Sequence, residues 1–153
     1  MIDNNPPAEI AELLHDYKVV VPISVAWGEM DAFQHLNNVT YFRYFESARI
    51  AFFESMGLTR DGALTEVGPI LAFTSCRFLA PMTYPDTAYV GACVVKIEDD
   101  RFTMGLIIVS EKLRKVTAVG EAVLVSYDYQ KKVKVGIPEV WRQKMFADLP
   151  PGA

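Results

Sequence analysis

Residues 37–56 read Asn37-Asn-Val-Thr-Tyr-Phe-Arg-Tyr-Phe-Glu-Ser-Ala-Arg-Ile-Ala-Phe-Phe-Glu-Ser-Met56, and this stretch decides the architecture. Asn37 or Asn38 is a good helix N-cap, because a short polar side chain can accept from the unpaired N–H groups of a first turn. Val39 to Met56 then gives a helix of about five turns. Its apolar residues Tyr41, Phe42, Phe45, Ala48, Phe52, Phe53 and Met56 cover a wide arc, against a narrow polar stripe of Thr40, Arg43, Ser47 and Glu54. A helix this apolar does not lie on a surface; it needs a sheet curved around it. Gly57 closes it as the residue past the C-cap.

The flanks supply the sheet. Val19–Trp27 alternates around Val21, Ile23 and Val25, the period of two that marks a strand. Beyond a loop through Gly68, four strand-like runs follow: Ile70–Leu79, Thr87–Ile97, Phe102–Glu111 and Thr117–Tyr129. Connectors such as Ala80-Pro81-Met82-Thr83-Tyr84-Pro85-Asp86 and Glu98-Asp99-Asp100 carry turn chemistry. Pro7–His15 and Pro138–Phe146 read as short terminal helices, and residues 150–153 as a frayed tail. The expectation is α+β: one long central helix wrapped by a five-stranded antiparallel sheet, the last four strands in a meander, with residues 1–153 as a single domain. Met104–Val109 and Ala122–Val125 are apolar on both faces, while one helix covers one face only. That pattern points to a homodimer or homotetramer.

Between the first strand and the helix lies Asp31-Ala32-Phe33-Gln34-His35-Leu36-Asn37-Asn38. A helix start presents unpaired N–H groups at a positive dipole end, suited to a developing oxyanion. A carboxylate held a few residues earlier can attack a carbonyl bound there, or activate water against it. The combination points to acyl-group hydrolysis. Asp31 is also a natural Asx-turn residue, and a lone His35 near a helix start is a common structural hydrogen-bonder. Tyr41 and the helix phenylalanines read first as core. Glu46 and Arg49, three apart, can pair along the helix face.

Composition narrows the field. Of 153 residues 51% are hydrophobic and 22% charged, which excludes a disordered chain. A net charge of −4 argues against broad nucleic-acid binding. One basic cluster, Lys112, Arg114 and Lys115 with Lys131, Lys132 and Lys134, is either a solvated turn and strand end or a landing site for nucleotide phosphates. No apolar run approaches a membrane span, and the acidic start MIDNNPPAE lacks a signal pattern, so a cytoplasmic protein without membrane contacts is expected. Cys76 and Cys93 alone with two histidines make neither a disulfide framework nor a metal site. No G-x-S-x-G, G-x-G-x-x-G, P-loop or H-E-x-x-H motif occurs, and no cofactor is called for.

The run D-A-F-Q-H-L-N-N-V-T-Y-F-R-Y-F-E-S-A-R, from Asp31 to Arg49, resembles the 4-hydroxybenzoyl-CoA thioesterase family of hot-dog folds. Asp31, His35, Asn37, Asn38, Tyr41, Glu46, Ala48 and Arg49 fall on its pattern. Arg77-Phe78-Leu79-Ala80-Pro81 with Tyr84-Pro85-Asp86 resembles its second-to-third strand hairpin. Gly120-Glu121-Ala122 and Gly136-Ile137-Pro138 resemble its last strand and exit. The likeness spans roughly Tyr17 to Pro138. It implies an acyl-CoA substrate, dimers with sheets joined edge to edge, and active sites at the subunit interface. It makes Asp31 the nucleophile or general base and the Asn38 backbone N–H the donor that polarises the thioester carbonyl. His35 stands beside them, and Gln34, Tyr41, Lys112, Arg114 and Lys115 are candidate substrate contacts. Gln34 departs from the pattern, where glycine is common. Two alternatives stay open: a hot-dog hydratase or dehydratase, which would carry Asp and His five apart with Asn-Pro between, and a non-catalytic acyl-carrier binding module.

Overall fold

The computed structural model describes residues 5–60, 63–64 and 66–149. In chain order the elements are α1 (Ala8–Leu13), β1 (Val19–Ser24), a 3-10 turn (Trp27–Glu29), α2 (Asn38–Ser55), β2 (Thr59–Arg60), β3 (Ala63–Leu64), β4 (Val67–Phe78), β5 (Thr87–Ile97), β6 (Arg101–Ser110), β7 (Lys115–Asp128), β8 (Val133–Lys134) and α3 (Glu139–Phe146). The expected tail at 150–153 lies outside the described residues.

The sheet is antiparallel with strand order β1-β5-β6-β7-β4, and β8 adds to β7. It curls around α2, as the apolar arc requires. Tyr41, Phe45, Ala48, Phe52 and Phe53 of the helix are buried against Val90 and Val94 of β5, Met104, Leu106 and Ile108 of β6, and Ala122 and Leu124 of β7. Gly120 is where the wrapping is tightest. A Cβ there would run into the Ser75 carbonyl oxygen on β4 and stand 2.6 Å from the Phe45 ring, so only glycine lets helix and strands meet.

Three expectations need correction. β4 to β7 do not form a four-strand meander: β5-β6-β7 do, but β4 crosses to the far edge and pairs only with β7. Residues 79–86 are therefore a crossover and not a hairpin, held where the Leu79 and Ala80 N–H groups both donate to the Thr117 carbonyl. The first strand stops at Ser24, because Val25 donates to the Asp86 carbonyl and the chain then turns through Trp27–Glu29. The expected loop before Gly68 instead holds the small β2–β3 hairpin, and β4 begins at Val67 with Gly68 and Pro69 inside it. Proline is tolerated there because an edge strand has one unpaired side.

The second apolar face is partly met within the chain. Ile10 and Leu14, in and just after α1, pack on the outer face against Tyr89, Ile107 and Val109. Among the described residues no helix is long and apolar enough to cross a membrane.

Candidate active site

The Asp31 loop is built by local hydrogen bonds. Met30 bridges Leu36, the Asp31 N–H donates to the His35 carbonyl at 2.9 Å, and the Gln34 N–H donates to the Asp31 carbonyl at 2.9 Å. Gln34 closes this turn with φ at +64°, a left-handed conformation that glycine adopts more cheaply. The departure at Gln34 thus leaves the turn in place at some conformational cost. Asp31 Oδ1 accepts from the Phe33 N–H at 2.9 Å, so the Asx-turn reading holds. Its Oδ2 takes no hydrogen bond from any described residue and lies at the exposed surface.

The loop is locked to α2 by a residue the sequence reading passed over. Glu29 Oε1 accepts from the Tyr44 hydroxyl and from the Ala26 N–H, both at 2.7 Å. Its carbonyl accepts from the Asn37 N–H at 2.9 Å. Burial, reinforced by the Glu29 carboxylate, pushes the Tyr44 phenol far above its ordinary range and keeps it a donor. An acidic residue three positions past Ala26 was the available signal: it is the capping pattern of a tight turn.

Asn37 is the N-cap, its Oδ1 accepting from the Val39 N–H at 3.1 Å. Asn38 is consequently the first helical residue. Its N–H meets no acceptor among the described residues and points out of the helix start. A cleft of about 340 Å3 gathers Asp31, His35, Asn38, Tyr41, Phe78 and Pro81. Tyr41 is nearly buried: its oxygen accepts from the Met82 N–H at 3.3 Å and its ring packs edge-on against Phe78. It is more wall than contact, and burial raises its phenol.

Asp31 also borders a second cleft of about 610 Å3, with Trp27, Met30, Gln34, Thr83 and Tyr84. Gln34 lines this second cleft and not the first. Lys112 reaches this side, its Nζ donating to Thr83 Oγ1 at 3.0 Å while its N–H donates to Asp86 Oδ1 at 2.9 Å. Arg114 turns elsewhere, 4.0 Å from Glu9 on α1, and Lys115 opens β7 opposite Ser110. Of the three basic candidates, Lys112 alone is shown touching a residue of this cleft, Thr83. Trp27 is 71% and Phe33 84% exposed beside the loop. Among the described residues no three His, Cys, Asp or Glu side chains gather as a metal site.

A single long helix inside a curled antiparallel sheet, with a carboxylate loop at the helix start, defines the hot-dog class of α+β proteins. This chain belongs to the thioesterase-like superfamily, which matches residues 25–145. The PA5185 protein of Pseudomonas aeruginosa PAO1 is 26% identical, with a TM-score of 0.80 over 92% of this chain and 97% of that one. A thioesterase-superfamily protein of Jannaschia sp. CCS1 is also 26% identical, with a TM-score of 0.80 over 93% and 91%. A Thermus thermophilus thioesterase, solved in complex with coenzyme A and Zn, shares the fold at 23% identity and a TM-score of 0.75, over 87% and 95%. The uncharacterized Bacillus subtilis protein YsmA is 37% identical over 57 residues, a match spanning only 37% of either chain.

Proposed function

We propose that this protein hydrolyses an acyl-CoA thioester, with Asp31 and the Asn38 N–H as its working groups. One observation carries the reading: a carboxylate with an uncommitted oxygen and an unpaired helix-start N–H border the same cleft. The thioester carbonyl oxygen accepts from Asn38, so the charge that develops on it meets both a donor and the helix dipole. Asp31 then acts in one of two ways. It attacks the carbonyl carbon, expels CoA thiolate and forms an anhydride that water cleaves, or it takes a proton from water as that water attacks. Either route consumes one water and yields free acid and CoA. His35, exposed on the same cleft, contacts the reacting group or its water.

Coenzyme A leaves through the second cleft, where Trp27 and Tyr84 offer ring faces to its adenine and Lys112 a charge to its phosphates. The family resemblance supports 4-hydroxybenzoyl-CoA thioesterases as the relevant branch and a cytoplasmic enzyme of one domain. It also supports a homodimer joined at sheet edges. Because α1 takes up outer-face surface that sheet stacking would need, we take the dimer and not the tetramer as the unit. Free-thiol release from a panel of acyl-CoAs, wild type beside Asp31→Asn, tests the reading. Release by the wild type that the variant abolishes supports it; a wild type that releases no thiol from any of them refutes it.

A further inference from the structure

The Asp86 carboxylate ties the end of the crossover to the turn between β6 and β7. Its Oδ1 accepts from the Thr87 N–H at 2.8 Å and from the Lys112 N–H at 2.9 Å, and its Oδ2 accepts from the Ser110 hydroxyl. Ser110 is fully buried, and its oxygen in turn accepts from the Leu113 N–H at 3.0 Å. One carboxylate therefore satisfies two backbone N–H groups of the turn, the first directly and the second through a hydroxyl. The turn also needs such support. It places Arg114 at φ +55° with no glycine to ease that conformation, a cost that its contacts must offset.

This turn carries Lys112. Its Nζ reaches the hydroxyl of Thr83, on the wall of the second cleft with Trp27 and Tyr84. Thr83 is neutral, and among the described residues no carboxylate forms an ion pair with the Lys112 ammonium. Asp86 meets the backbone of Lys112 and not its charge. The arrangement fixes the root of an exposed side chain and leaves its charge for an anion, which lowers the ordering cost of binding one.

We propose that Asp86 is a positioning residue for coenzyme A. By holding the β6–β7 turn it sets the Lys112 ammonium where the phosphates of the ligand pass, although its own charge opposes them. The proposal rests on the reading of the second cleft given above but not on the chemistry at Asp31, and its test needs no turnover. Positioning and bare electrostatics differ in sign here. If charge alone matters, removing a carboxylate beside an anion site strengthens phosphate binding. If Asp86 works through Lys112, removing it weakens that binding.

The experiment is isothermal titration of coenzyme A into wild type, D86A, K112M and the double variant, with circular dichroism on each. K112M should raise the Kd roughly tenfold, the usual effect of losing a charged hydrogen bond. D86A should raise it severalfold. The double variant should bind no more weakly than K112M, because Asp86 has nothing left to position. A general structural defect would instead add to the loss from K112M. A folded D86A that binds as tightly as wild type or more so, or that weakens K112M further, overturns the proposal and leaves the reading of the cleft intact. A K112M variant with wild-type affinity, or a wild type that binds no coenzyme A, overturns that reading and the proposal with it. Should D86A not fold, Ser110→Ala decides. It keeps the Asp86 charge, strips the Leu113 N–H of its acceptor and should raise the Kd severalfold, but not in the presence of K112M. An unchanged constant overturns the proposal.

Discussion

Asn38→Pro isolates the proposed oxyanion donor with little collateral damage. Asn38 is the first residue of α2, the position where proline is most welcome, because its missing N–H would be unpaired there anyway. Proline also restricts the residue before it to extended backbone, and Asn37 already sits at φ −61° and ψ 139°. The cap from Asn37 Oδ1 to the Val39 N–H is untouched. No internal hydrogen bond is lost, since none is made by the Asn38 N–H. Stability should therefore stay within about 0.5 kcal/mol of wild type, as for a neutral surface change. Turnover should fall by roughly a hundredfold to a thousandfold, the usual cost of removing one oxyanion donor. Asn38→Ala keeps the N–H and should lose much less. The assay is kcat for thiol release beside a thermal melt by circular dichroism. A folded proline variant with more than about a tenth of wild-type turnover, a loss below ~1.4 kcal/mol, would refute the role of this N–H. Equal and severe losses in both variants would move the function to the side chain.

Gly120→Ala should cost about 3 kcal/mol, because the new methyl meets a strand carbonyl and a fully buried ring that cannot both yield. At roughly 2–4 °C per kcal/mol for a domain of this size, the melting point should drop by about 6–12 °C, and a melt within about 2 °C of wild type would contradict the packing. Tyr44→Phe removes the 2.7 Å bond to Glu29 and should destabilise by about 2 kcal/mol in urea titrations while lowering kcat several-fold through a looser Asp31 loop. An unchanged urea midpoint counts against that anchor. Burial pushes the Cys76 thiol up to about 11, so its thiolate appears only toward that pH. Alkylation of Cys76 in the native protein at about pH 7.5, followed by mass spectrometry, should run roughly a hundredfold slower than in the unfolded chain and accelerate as pH rises. Equal rates would show the thiol to be solvated.

The helix was legible because 3.6-residue periodicity over five turns with a capping Asn and a closing glycine has few other readings. The strands were legible from alternation, but their spatial order was not. The route of β4 to the far edge depends on where residues 79–86 dock, against the Thr117 carbonyl, and nothing periodic records that contact. The packing of Ile10 and Leu14 on the outer face is likewise a long-range fact, which is why the strands apolar on both faces read as a need for more subunits. At the candidate site, Asp31, His35 and Asn38 could be read together because they are neighbours in sequence, and the structure sets them on one cleft. Glu29 was missed because its partner Tyr44 stands fifteen residues away. Nor can spacing say that Lys112 turns toward Thr83 while Arg114 lies near Glu9.

The most direct test of the account is thiol release from acyl-CoA by Asp31→Asn, measured on protein with a wild-type circular dichroism spectrum. Asparagine keeps the size of the side chain and a carbonyl oxygen that can accept from the Phe33 N–H, so the turn should survive. It cannot attack the carbonyl or take the water's proton. The account predicts loss of nearly all turnover with little change in binding of a non-hydrolysable CoA thioether. A folded variant that retains more than about a tenth of wild-type turnover would contradict it.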